Sequence, residues 1–214
     1  MPFQEKARGK MMRPPLVFRR SLVAWIMAIV GLLLSTAAQA QKFVVTPVTE
    51  KKVPRLPPGP LFWRIDTFPT LAKAEAAASP TALAAEVAGK AWLFTLGPPG
   101  GSSPGGSKVA EIGPVPSFTA PEYLLRINRA AGPPGAKTPV HMHPGVETFY
   151  VLSGELTQKM SDGVKRVSAG QPMLGHSPNT PMQVSSSGTS DLSVVVMFVT
   201  DATKPFSSPA TMPP

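Results

Sequence analysis

Proline occurs 27 times and glycine 18 times in these 214 residues, which rules out long uninterrupted helices. Each proline removes a backbone donor, and the two residues together punctuate the chain into short pieces. What remains available is a set of strands joined by turns. Candidate strands lie at 91–96, 108–112, 122–128, 138–142, 147–152, 156–160, 164–167, 182–186 and 192–199, with turn residues between them. Short strands at this spacing predict an all-β sandwich or barrel.

Within 122–128, Tyr123, Leu125 and Ile127 share one face of a strand while Arg126 and Asn128 share the other, so one face is buried. The segments 148–152 and 194–199 are apolar on both faces and are expected to be covered on both sides. The N-terminal arm, the helices or a second copy of the chain would supply that cover.

Before this strand region, residues 41–66 are rich in Pro and Lys and read as an extended arm. From 70 to 88 the composition shifts to Ala, Leu, Glu and Lys. A break at Ser79-Pro80 predicts two short helices, with Gly89 as the stop. The stretch 97–106 is too rich in Gly, Pro and Ser to pack and reads as a flexible loop. These boundaries give a first segment at 1–40, the arm, a helical pair with strands and loop at 67–118, a barrel core at 119–204 and a tail at 205–214.

The first segment has the layout of an export signal. Arg19 and Arg20 precede an apolar run at 22–34, and the small residues that follow place cleavage after Ala40. The Arg pair also has the outline of a twin-arginine signal. A periplasmic or secreted product with no membrane span after cleavage is expected. Absence of cysteine excludes disulfides, thiolate metal sites and a Cys nucleophile.

The formal charge of +9 does not mean nucleic acid. Six of the 21 basic residues precede position 22, and the 15 that remain face 11 acidic residues, a net charge of +4 after cleavage. No basic patch interleaved with aromatics survives. A nucleophilic mechanism has little support, since no Gly-x-Ser-x-Gly turn occurs.

The chemistry concentrates between Gly135 and Gly154. His141 and His143 stand two apart, so on a strand both rings point to one side, and the turn at Pro144-Gly145 lets Glu147 return toward them. Two imidazoles and a carboxylate form a partial shell for manganese, iron, nickel or zinc. The alternative is a polar cluster satisfied by hydrogen bonds and water. The spacing from Gly135 through His141, His143 and Glu147 to Gly154 resembles the first motif of the cupin superfamily at every fixed position. That resemblance implies a double-stranded β-helix barrel preceded here by a short helical segment. It also implies a dimer in many members and a metal in the mouth of some.

The family's second motif is broken. Counted from Gly170, its proline falls on His176, its glycine on Pro178 and its histidine on Pro181, or on Met182 with one insertion. Met182 reads as barrel filling, and His176 as a loop residue or a substitute ligand. Tyr150 and Arg126 are candidate pocket residues. Two functions follow: a binding module using the barrel mouth for a small molecule, with or without one divalent metal, or a metal-dependent enzyme of dioxygenase or isomerase type acting on a small organic substrate.

Overall fold

In the computed structural model, Met1 and residues 42–212 are described. The export signal and its cleavage point lie outside the described residues. Among those residues no helix is long and apolar enough to cross a membrane.

Three sheets make up the described part. The first has five strands in the order β1 (Val44–Val53), β6 (Tyr123–Gly132), β13 (Leu192–Asp201), β8 (Gly145–Ser153) and β11 (Pro172–Leu174). The second runs β10 (Gly163–Ser168), β9 (Glu155–Met160), β12 (Met182–Ser186), β7 (His141–Met142) and β14 (Ser208–Pro209). The pairings within both are antiparallel. Their inner faces enclose one apolar core that includes Phe149, Val151, Leu156, Val184, Val194, Val196 and Phe198. This is the two-sheet barrel expected from the strand spacing.

The third sheet explains the strands that are apolar on both faces. It contains β3 (Ala82–Val87), β4 (Lys90–Gly97), β2 (Phe62–Phe68) and β5 (Ser107–Ile112) in that order. Trp63, Ile65, Leu83, Trp92, Phe94 and Leu96 from it pack with Leu125, Ile127, Val146, Val195, Met197 and Val199 of the first sheet. Along β13, side chains therefore alternate between two cores, Val194, Val196 and Phe198 in the barrel and Val195, Met197 and Val199 outside it. The cover for this face comes from the chain's own N-terminal half.

Several expectations are corrected here. The second helix of the expected pair is strand β3. Only α1 (Leu71–Ala76) is helical, capped by the Thr70 hydroxyl, which accepts from the Lys73 amide at 3.3 Å. Alanine favours helix, but Leu83, Ala85 and Val87 recur with period two and meet the apolar face of β4, so packing overrides propensity. Gly89 ends no helix. With Ala88 at φ 51° and Gly89 at φ 72°, the pair forms a two-residue hairpin turn in which both central residues are left-handed.

The expected arm at 41–66 is not a separate segment. Residues 44–53 are an edge strand paired along β6, and the expected boundary at 66/67 cuts through β2. The tail at 205–214 adds β14, which pairs with β7 at the barrel mouth.

The Gly/Pro loop at 97–106 does pack. Ser103 is buried and hydrogen-bonded to a buried pair, Arg64 and Asp66, donating to the Asp66 carboxylate at 2.8 Å and accepting from Arg64 at 3.0 Å. Arg64 Nε donates to Asp66 at 3.0 Å. One serine with two buried charged partners anchors a segment whose composition suggested no anchor.

Candidate functional site in the barrel

The turn between β7 and β8 builds the site. A side chain at Gly145 would stand 2.1 Å from the Val199 carbonyl oxygen, so only glycine lets β8 start this close to β13. From there the two-residue period of β8 turns Glu147, Phe149 and Val151 into the barrel, and Tyr150 outward.

His143 is buried, with its ring 4.9 Å from that of Phe198 and 4.8 Å from that of Phe206. Its Nδ1 lies 2.7 Å from the Phe206 carbonyl oxygen. The His141 ring stands nearly perpendicular to it, 5.0 Å away, with Nδ1 2.9 Å from the Pro139 carbonyl oxygen. A carbonyl oxygen only accepts, so in both neutral rings Nδ1 carries the proton and Nε2 the lone pair. Among the described residues neither Nε2 has a hydrogen-bond partner.

Glu147 is buried beneath them. Its Oε1 accepts from Gln158 Nε2 at 2.5 Å, and its Oε2 is 3.9 Å from His143 Nε2. Gln158 Nε2 also lies 3.3 Å from the Met182 sulfur. Burial pushes the Glu147 carboxyl up to about 8, against the opposing pull of the Gln158 hydrogen bond. Burial likewise holds His143 down at about 4, although its bond to Phe206 works the other way. Desolvation disfavours the charged form of each group, so at neutral pH both are uncharged.

These side chains form the polar end of a cavity of about 410 Å³. Its wall is otherwise largely apolar, with Phe43, Phe149, Phe198, Phe206, Val194 and Val196. Asn128, Thr138, Ser207 and Ser208 add polar groups at the edge. The tail segment 206–209 thus closes the side of the cavity nearest the histidines.

Of the residues singled out in the sequence, His141, His143 and Glu147 come together at this cavity. The other four do not line it. Tyr150 faces the opposite way and packs on Trp92, ring centroids 6.1 Å apart. Met182 is buried and pairs in register with His141, so it occupies the strand position facing the histidines and fills space there. The Nε2 of His176 is buried without a partner, and burial depresses its basicity. Arg126 stacks its guanidinium 4.3 Å over the Phe206 ring, donates to Asn128 Oδ1 at 2.9 Å and pairs with Glu50 at 3.4 Å. It supports the cavity wall from behind its lining.

Two contributors escaped sequence reasoning. Gln158 lies on the inward face of β9 with Leu156 and Met160, and a polar residue on the apolar side of an alternating strand is a legible signal. Phe206, in a segment read as a tail, had none.

The donor types suit a divalent first-row cation, and both histidines have Nε2 free. Their positions do not suit it: among the described residues no three ligating side chains gather as a metal shell. Glu147 is held by Gln158 rather than shared with both rings.

A family profile described as a cupin domain matches residues 130–198. No curated protein matches the sequence. Among solved structures, the DMSP lyase DddQ from Ruegeria pomeroyi is similar at 21% identity and a TM-score of 0.36, over 40% of this chain and 43% of that one. Oxalate oxidase in complex with glycolate is similar at 24% identity and a TM-score of 0.34, over 39% and 45%. A double-stranded β-helix protein from Klebsiella pneumoniae is similar at 24% and 0.35, over 41% and 75%. The chain thus spans less than half the length of the first two, and the activities in those names belong to those proteins.

Proposed function

The chain belongs to the cupin superfamily, and from that premise we propose that it is an exported protein that binds a small organic molecule in the barrel cavity. The observation that carries this reading is the cavity itself, apolar over most of its wall and polar at one end, where His141, His143 and Glu147 converge. Small-molecule sites have this composition: apolar surface provides affinity and a few fixed polar groups provide orientation. Export rests on residues 1–40, and association into a homodimer is part of the same proposal. A mature mass beginning at Gln41 and a light-scattering mass of two chains are the corresponding expectations.

A second reading, a metal-dependent enzyme of dioxygenase or isomerase type, is favoured by one observation. Each histidine commits Nδ1 to a backbone carbonyl and leaves Nε2 unbonded, the arrangement found in ligating histidines. It requires Glu147 to ionise and to offer Oε2, the oxygen that Gln158 leaves free.

Metal content of the mature protein, purified without a metal-binding tag and measured beside His141→Ala, separates the two. The binding reading expects no stoichiometric manganese, iron, nickel or zinc, with unfolding temperature unchanged by chelation. Near one metal per chain, lost in the variant, would replace it with the metalloenzyme reading.

A further inference from the structure

The cavity wall specifies a ligand chemistry. Phe149, Phe198 and Phe206 present aromatic surface, and no Lys or Arg is among the described residues that line it. The nearby guanidinium, that of Arg126, is stacked on the Phe206 ring and paired with Glu50. A carboxylate or phosphate entering this space would lose its hydration and find no cation to replace it.

The polar end is just as selective. His141 and His143 each hold their Nδ1 proton on a backbone carbonyl, at 2.9 and 2.7 Å, so what each ring has left is an Nε2 lone pair. Lone pairs reward a donor and repel an anion. Glu147 adds no positive charge in either protonation state. About 410 Å³ leaves room for a molecule of one or two rings.

We propose, resting on the binding reading above, that the cavity takes an uncharged aromatic molecule bearing a hydroxyl group. Its ring packs against Phe198 and Phe206, and its O–H donates to Nε2 of His141. The hydroxyl distinguishes it from a plain hydrocarbon, and the absence of charge from an aromatic acid.

Three two-ring probes of similar shape test this by calorimetric titration of the chelator-treated mature protein at pH 7: 2-naphthol, its methyl ether and 2-naphthoate. The expected order is 2-naphthol roughly tenfold tighter than the ether, as one hydrogen bond donated to a neutral acceptor would give, with no measurable binding of 2-naphthoate. In His141→Phe, which keeps the bulk and removes the acceptor, naphthol and ether should bind alike, and a thermal melt verifies folding. Binding of 2-naphthoate as tight as that of 2-naphthol would overturn the proposed ligand class while leaving the cavity a binding site. An unchanged preference for 2-naphthol in His141→Phe would overturn the role given to His141. No binding of any probe would overturn the ligand class, whereas the binding reading itself falls only if the metal measurement above goes against it.

Discussion

His143 donates its Nδ1 proton to the carbonyl oxygen of Phe206 at 2.7 Å, joining positions 63 residues apart. The contact ties the ring that faces Glu147 to the segment just before β14. Ending the chain after Lys204 removes that acceptor together with β14, whereas Phe206→Ala keeps the acceptor and removes the ring. A slowly exchanging His143 Nδ1 proton is therefore expected by NMR in the parent and in Phe206→Ala, and not in the truncated chain. Loss of the half-buried ring and its cation–π contact with Arg126 should still cost Phe206→Ala about 1–3 kcal/mol.

Gly175 is a second point where the backbone crowds the site. Its amide donates to the Glu147 carbonyl at 3.0 Å, and a methyl group there would stand 2.4 Å from that oxygen and 2.8 Å from Glu147 Cγ. Gly175→Ala is expected to lower stability by about 1–3 kcal/mol through overpacking and to shift the Glu147 side chain. Gly97, where an added methyl meets nothing within 4 Å, is the control. Urea denaturation of both variants reads the difference, and equal loss in both would refute the crowding.

The pH dependence of stability has a defined sign. Glu147 titrates at about 8 when folded, above its ordinary 4.5, so its contribution is complete below pH 4.5 and is lost as pH rises through 8. His143 titrates at about 4 rather than 6.5, so its contribution is complete above pH 6.5 and is lost as pH falls toward 4. Of these two groups only Glu147 acts between pH 6.5 and 8. The urea midpoint should fall across that window in the parent and stay level in Glu147→Gln.

The loop at 97–106 offers a test remote from the cavity. Asp66→Ala leaves Arg64 buried without its carboxylate and should cost about 3–5 kcal/mol. Ser103→Ala removes only hydrogen bonds and should cost about 1–2 kcal/mol. Limited proteolysis should cut the loop sooner in both. Equal resistance in all three proteins would show that the anchor does not hold the loop.

The barrel and the site's central residues were legible because they rest on local periodicities. The two-residue spacing of His141 and His143, the turn at Pro144-Gly145 and the inward parity of Glu147 all follow from strand geometry. Tyr150 has the opposite parity and faces the third sheet, and what it packs against there depended on a partner surface that no local pattern announces. The strand at 82–87 was missed because alanine's helix propensity is a local signal, whereas the β4 face that makes it a strand is a pairing. Phe206 was missed for a related reason. Two residues of β14 pairing with β7 have no period of their own, and the segment's role comes from where the chain arrives.

Strand β13 is a shared wall: one backbone carries Val194, Val196 and Phe198 toward the cavity and Val195, Met197 and Val199 toward the N-terminal sheet. Whatever stills one side must still the other, because the same peptide planes carry both sets of side chains. Occupancy of the cavity should therefore be audible in the neighbouring room, as slower amide hydrogen exchange in β2 and β4, strands that no ligand in the barrel touches.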